Sequence, residues 1–281
     1  MDAETALELM GGIARWKALH DVGVRAGELA RAVAAGSVLR PGHGIYALPG
    51  IAPEITAAVR AGASLGCVSA AQSHGLWVHR QHGLHLSAPR SVRDVRYGRM
   101  HRLRQTYGPL VPVEVCLRQV MACLPLSEAL VIAESAVVKS LVTVEDLHRL
   151  STGRGSKRAG RVIEAINPGS ESAPETLARH TLQEAGYTVV CQRRINRVGR
   201  VDLEVEGRLL LEIDGRVHHS DEQSFTEDRR RWNELTIMGL DLLVVPAKQV
   251  LAYPRSILVP VRRYFAERGD THAVASAVFA A

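Results

Sequence analysis

Cysteine is scarce in this chain and is never paired in a motif. Cys67, Cys116, Cys123 and Cys191 are the four present, and no two make a Cys-x-x-Cys pair. Cys116 and Cys123 each sit in an apolar run. The expectation is reduced, buried thiols in a cytoplasmic protein. Long hydrophobic runs are also missing. Every apolar stretch meets a charge well before the ~18 residues of a membrane span. The opening MDAETALELM carries acids where a secretory leader carries a basic region, so neither a leader nor a membrane partner is expected. No internal repeat occurs. A histidine-rich stretch lacks ligand spacing: His74, His79, His82, His85 and His101 match no metal motif, and three of them surround a Gln-His-Gly turn. No metal is expected there.

What is present suits a folded chain with a sizeable core. The 281 residues are 46% hydrophobic, which allows about two domains. The formal net charge of +6 permits a polyanionic partner without establishing one.

Residues 1–50 read as helices followed by a small hairpin. ALELMGGIARWKALHDVG has one helical pattern with an internal glycine pair. VRAGELARAVAAGSVLR has another, with Leu29, Val33, Val38 and Leu39 inward and Gly36 at its end. LRPGHGIYALPG is then a turn between two short strands. A winged helix-turn-helix and a generic helical subdomain both fit this outline. Residues 51–164 read as a mainly helical α+β region. PEITAAVRAGASLGCVSAAQSHGLW is helix, turn and helix. GLHLSAP and VPVEVCL are strands, and LSEALVIAESAVVKSLVTVEDLHRL is one or two helices. The basic stretch STGRGSKRAGR, 151–161, and NPGSESAPE bracket a domain boundary. A C-terminal domain follows at 165–270, with a loose tail at 271–281.

That domain carries the chemistry. SAPETLARHTLQEAG is a helix with Ser172 and Glu175 at capping-box spacing and Pro174 in its first turn. YTVVCQ, VDLEV and LLLEID are strands. SFTEDRRRWNELTIMG is a helix with Phe225, Trp232, Leu235 and Met238 inward, and Asp228 and Arg229 in its first turns. LDLLVVP is a nearly continuous apolar strand, expected in a central or well-covered position. In VDLEV, Val201, Leu203 and Val205 share one face and Asp202 and Glu204 the other. A three-residue loop at 206–208 sets Val205 opposite Leu209 and Leu203 opposite Leu211. Asp202 then opposes Glu212, and Asp214 joins them on one face. A two-residue loop would swap the face. Like charges this close need compensation, and a hard divalent cation supplies it. The same alternation also describes acids facing water on a half-exposed hairpin. Arg193, Arg194, Arg197 and Arg200 stand beside the acids. They suit a phosphate backbone or a solvated loop equally.

These parts together resemble the DUF559 family, related to the very-short-patch repair endonucleases and, with them, part of the PD-(D/E)XK nuclease superfamily. The matching residues are Glu175 in the first helix, Gln192 before the basic stretch, and Asp202 in GRVDLEV. LEIDGRVHH, FTEDRRRWNEL with Asp228 and Arg229, and GLDLLVVP complete the match. The resemblance covers about a quarter of the chain, Pro174 to Pro246. It implies a restriction-endonuclease-like mixed sheet flanked by helices and a Mg²⁺- or Mn²⁺-dependent DNA endonuclease. Asp202 and Glu212 would then bind the metal, with the Ile213 carbonyl as a third ligand. Asp214 stands where the superfamily usually has lysine; His218, His219 or Arg229 would take part of that role. Glu175 resembles the first-helix acid that assists the metal, although its capping position offers a purely structural use. The N-terminal stretch resembles the winged-helix domain of AbiEi-type antitoxins. That likeness implies DNA as a partner, with a recognition helix near 25–35 whose cations are Arg25 and Arg31. It also implies transcriptional regulation, and a nucleotidyltransferase toxin as partner. An antitoxin-like front joined to a nuclease-like back resembles an architecture common in actinobacteria.

Overall fold

A computed structural model describes residues 1–92, 98–105, 107–153, 155–215 and 222–268, with the backbone alone for 222–225. These residues form a mixed α/β fold with three β-sheets flanked by helices. The chain divides into two units: 1–124 with 145–160, and 125–144 with 161–281.

The first unit opens with α1 (Ala3–Leu9), β1 (Ile13–Arg15), α2 (Trp16–Asp21), α3 (Ala26–Ala35), β2 (Leu39–Gly42) and β3 (Ile45–Ala47). Its strands make an antiparallel sheet in the order β1-β3-β2. Asp2 caps α1 by accepting the Thr5 amide at 2.7 Å, which satisfies an otherwise unpaired first-turn donor. The single helix expected across the glycine pair is interrupted. Gly11 and Gly12 take φ values of 81° and 84°, which side chains disfavour, and β1 follows them. Leu29 and Val38 are buried with Leu7, Leu19 and Val24. Leu39, expected inward, is exposed, because β2 starts there and turns its side chain out.

The same unit continues with α4 (Pro53–Arg60), β4 (Ser64–Leu65), α5 (Cys67–Ser73), β5 (His85–Pro89), β6 (Arg99–Leu103) and α6 (Val113–Cys123). The second sheet has the order β4-β5-β6, with β5 and β6 parallel. VPVEVCL, expected as a strand, is instead the start of α6. Cys116, Leu117, Val120 and Met121 are its buried apolar residues, and that spacing is helical. The Val-x-Val alternation covered too few residues to outweigh it.

Beyond α6 come α7 (Leu126–Val138), α8 (Val144–Leu150) and α9 (Ser156–Glu164). The expected basic linker is therefore helical from Ser156 onward. The second unit takes α7 and adds α10 (Ala173–Glu184), β7 (Val189–Ile195), β8 (Gly199–Val205), β9 (Leu209–Asp214), α11 (Glu222–Ile237), β10 (Asp241–Pro246), α12 (Ala247–Ala252) and α13 (Leu258–Glu267). Its sheet has the order β10-β9-β8-β7, antiparallel except where β10 runs parallel to β9. Among the described residues β10 ends the strand order, so of the central or well-covered position expected for it the central one is not taken. Val244 is exposed and the rest of β10 is largely half-buried. Parallel pairing to β9, with α11 and α12 packed against β10, accounts for the apolar run.

α10 packs on β7 and β8 through fully buried residues that include Leu177, Ala178 and Leu182. Each such leucine stabilises the fold by about 1.5–3 kcal/mol. α7 docks on α10 through a buried ion pair, Arg179 Nη2 to Glu134 Oε2 at 2.6 Å, with the two side chains 1% and 0% exposed. Thr176 Oγ1 donates to Glu134 Oε1 at 2.6 Å and the Asn167 amide to Oε2 at 2.7 Å. Arg179 also donates to Ser170, Gln183 and the Ala165 carbonyl. Both charges are thus satisfied away from water, the condition on which a buried pair is tolerated.

Candidate functional site

The β8–β9 hairpin has the register that a three-residue loop gives: Val205 opposite Leu209, Glu204 opposite Leu210 and Leu203 opposite Leu211. The ladder stops at the next pair, Asp202 and Glu212. On the other side β7 pairs Cys191 with Leu203 and Arg193 with Val201 but skips Gln192 and Asp202. Gln192 there adopts φ 51°, a left-handed conformation that is uncommon for a side-chain-bearing residue. The strict alternation of β8 also slips at this point. Val201 packs with Leu210 and Leu235 rather than sharing the face of Leu203 and Leu211, as expected.

The interruption is filled by polar side chains. Asp202 Oδ2 accepts the Ile213 amide at 2.7 Å. Gln192 donates to Glu175 Oε2 at 3.0 Å and also hydrogen-bonds Asp202. Gln192 thus ties the first-helix acid to the strand acid. Glu175 itself is buried. It accepts the Ser172 hydroxyl at 2.6 Å and the Glu171 amide at 2.9 Å, while Ser172 Oγ accepts the Glu175 amide at 3.4 Å. The capping use and the link to Asp202 are therefore simultaneous. Burial pushes the carboxyls of Asp202 and Glu175 above the ordinary range, because desolvation penalises the charged form. The Ile213 amide opposes that shift at Asp202, and the Ser172 hydroxyl opposes it at Glu175.

Asp202, Glu212, Ile213 and Asp214 line one cleft of about 310 Å³, together with Arg200, Asp228, Arg231 and Trp232. Asp214 is exposed at the end of β9. The cation on Glu212 is Arg231, whose Nη2 donates to Oε1 at 2.7 Å. Arg231 also donates to the carbonyls of Val198 at 3.0 Å and Arg200 at 2.6 Å, which hold its guanidinium in place. Arg229, one of the three residues expected to take part of the missing lysine's role, lies over the Trp232 ring at 4.9 Å. Helical spacing explains the difference. Asp228, Arg231 and Trp232 recur at i, i+3 and i+4 and share a face, and Arg229 stacks at its edge on Trp232. Of the expected inward stripe, Leu235 is buried, Trp232 half-buried and Met238 exposed. The helix ends at Ile237, which frees Met238 from the stripe. The side chain of Phe225, and all of His218 and His219, lie outside the described residues.

Arg193, Arg194, Arg197 and Arg200 are all exposed. Arg200 borders the cleft and forms an ion pair with Glu171, and Arg193 lies 3.5 Å from Glu204. Arg197 forms the β7–β8 turn with φ 66°, and its carbonyl accepts Arg230 at 3.0 Å. In the first unit, Arg25 precedes α3 and Arg31 lies on it, both exposed.

Among the described residues, the acids of this cleft do not converge as a set of three within 4.8 Å of one another. The one set of metal-ligand type that does so is elsewhere, in the first unit: Cys67, His85, His101 and Cys123, whose ligand atoms all lie within 4.8 Å of each other. It could hold a divalent cation. This corrects the expectation that the histidine-rich stretch is irrelevant to metals. The Cys67–Cys123 hydrogen bond, reinforced at Cys123 by His101 and His85, draws the Cys123 thiol down. The same bond and burial push Cys67 up. Cys116, buried nearby, is pushed up to about 12 by burial. All four cysteines are free thiols. No helix among the described residues is long and apolar enough to cross a membrane. No protein-family model matches the chain, and no curated protein matches it.

Proposed function

We propose that the second unit is a metal-dependent DNA endonuclease of the PD-(D/E)XK kind, close to the DUF559 family, and that the first 50 residues are a DNA-binding winged helix. The observation that carries this reading is the interruption of the sheet at Asp202. There a half-buried carboxylate, held by the Ile213 amide and joined through Gln192 to Glu175, faces a cleft shared with Glu212 and two arginines. A structural acid has no need of that arrangement. Its oxygen donors fit Mg²⁺ or Mn²⁺. Asp202, Glu212 and the Ile213 carbonyl would hold the ion. Bound there, it supplies a Lewis acid that lowers the pKa of a water and offsets charge on the phosphate. The chain's own residues do the rest. Glu175 and Gln192 hold Asp202 in place, Arg200 and Arg231 receive the phosphate, and His218 or His219 moves the proton. Arg193, Arg194 and Arg197 extend the basic border along the DNA backbone.

A second reading rests on Arg231. Its pairing with Glu212 supplies the countercharge an inactive site would keep, and Asp214 stands where the superfamily lysine would be. On that reading the chain is a DNA-binding regulator or antitoxin-like protein, whose partner would be a nucleotidyltransferase toxin. Cleavage of supercoiled, linear, single-stranded and mismatched DNA by the full chain and by Asp202→Ala and Glu212→Ala separates the two. The nuclease reading expects Mg²⁺- or Mn²⁺-dependent cleavage that falls at least ~100-fold in both variants with the fold intact. No cleavage of any form, together with a mobility shift on its own promoter, would establish the regulator instead.

A further inference from the structure

We propose that Cys67, His85, His101 and Cys123 form a closed, structural zinc site in the first unit, distinct in place and chemistry from the acid cleft. Each ligand comes from a different element. Cys67 begins α5, His85 begins β5, His101 lies on β6 and Cys123 ends α6. β5 and β6 pair in parallel with Ser87 opposite His101, so the two imidazoles project from adjacent strands. His101 Nε2 lies 3.3 Å from His85 Nδ1, and Cys123 Sγ lies 4.0 Å from the same Nδ1. A tetrahedral zinc with Zn–N of about 2.0–2.1 Å and Zn–S of about 2.3 Å needs edges of about 3.4 Å between nitrogens and about 3.6 Å between nitrogen and sulfur. These two separations need only tenths of an ångström of adjustment, and all four ligand atoms lie within 4.8 Å of one another.

The backbone around the ligands is built to hold them. Cys67 adopts φ 48°, a strained conformation for a side-chain-bearing residue that persists only where its surroundings enforce it. Its amide donates to Gln119 Oε1 at 2.8 Å, and its carbonyl accepts the Cys116 thiol at 3.1 Å. Gln119 and Ser87 hydrogen-bond each other, and Ser69 Oγ accepts the His85 amide at 2.9 Å. Gly66 admits this close approach, since a Cβ there would stand 1.9 Å from Ser87 Oγ. Such outer contacts orient ligands before a metal arrives.

Charge and donor type select the ion. Two thiolates and two neutral imidazoles balance Zn²⁺ to zero net charge, which suits a site where Cys67 and His85 are buried. Sulfur and imidazole suit zinc, and four protein ligands leave no open position for chemistry. The site therefore fastens two helix ends to two strands.

The test uses the full chain purified without chelator. Metal content by plasma mass spectrometry is expected at one zinc per chain. It should be lost in Cys67→Ser/Cys123→Ser and in His101→Gln, and kept in Cys116→Ser. Cobalt exchanged for the zinc should show the ligand-field bands of a tetrahedral thiolate–imidazole site. If the cysteine variant does not fold, His101→Gln on the outer strand decides alone. Absence of stoichiometric zinc from the wild type, a Cys67–Cys123 disulfide, or full zinc retention in His101→Gln would each overturn the proposal.

Discussion

The acid cleft of the second unit and the Cys/His cluster of the first gather ligand-type side chains in opposite ways. The cleft is open, uses oxygen donors, and offsets its charge with Arg231 on Glu212 and the Ile213 amide on Asp202. The cluster uses sulfur and nitrogen donors, with Cys67 and His85 buried and His101 and Cys123 half-buried, and its four ligand atoms already lie together. An acid site cannot preassemble closely in the absence of its cation, because like charges repel. A thiol–imidazole site can, because its members are donors and acceptors that hydrogen-bond one another. Loose acids in one unit and converged Cys and His in the other fit the two proposals, a metal-dependent cleft and a structural zinc.

The comparison can be broken first at the scaffold beneath the cleft. Glu134→Ala leaves Arg179 buried and unpaired and removes acceptors from Thr176 and Asn167. A loss of about 3–5 kcal/mol is expected in denaturant unfolding of the second unit. Zinc content of refolded protein should not change. A loss within experimental scatter would mean that α7 does not depend on this pair.

A smaller effect is expected at Arg231. Arg231→Gln removes the cation that competes with a metal for Glu212. About tenfold slower cleavage is expected, with half-saturation at lower Mg²⁺. If rate and metal dependence both stay unchanged, Arg231 only packs.

The smallest effect is in the pH dependence of stability. The Asp202 and Glu175 carboxyls are raised by burial, so the folded chain keeps protons that the unfolded chain has already lost. Their contribution is fully present below the ordinary carboxylate pKa of about 4 and is lost as pH rises through the raised values. Asp202→Asn removes one such group. In EDTA the variant should lose less stability across that window and melt about 2–4 °C higher than wild type at neutral pH, corresponding to ~1 kcal/mol. A lower melting temperature would show that Asp202 holds the hairpin together chiefly as a charged acceptor of the Ile213 amide.

How much of this was legible in the sequence differs between the two regions. The β8–β9 register follows from side-chain parity and a short loop, so Leu203 and Leu211 could be paired in advance. The slip at Asp202 could not, because it depends on Gln192 adopting a left-handed backbone on the neighbouring strand. The face of α11 was legible from its period, and following that period from Asp228 leads to Arg231 rather than Arg229. β10 misled because an apolar run reports burial on its faces and says little about pairing at its edges. The Cys/His cluster was illegible for a physical reason. Its ligands stand at intervals of 18, 16 and 22 residues, one per element, and only the packing of α5, β5, β6 and α6 brings them together. Spacing motifs detect ligands on one turn or hairpin and are blind to such a site.

The most direct measurement is nicking of supercoiled plasmid by wild type and Asp202→Asn in Mg²⁺, with zinc counted on the same samples. The account predicts that wild type nicks, that the variant falls at least ~100-fold, and that both carry one zinc per chain. Equal nicking by the two proteins, or none by wild type on any DNA form with either Mg²⁺ or Mn²⁺, would contradict it.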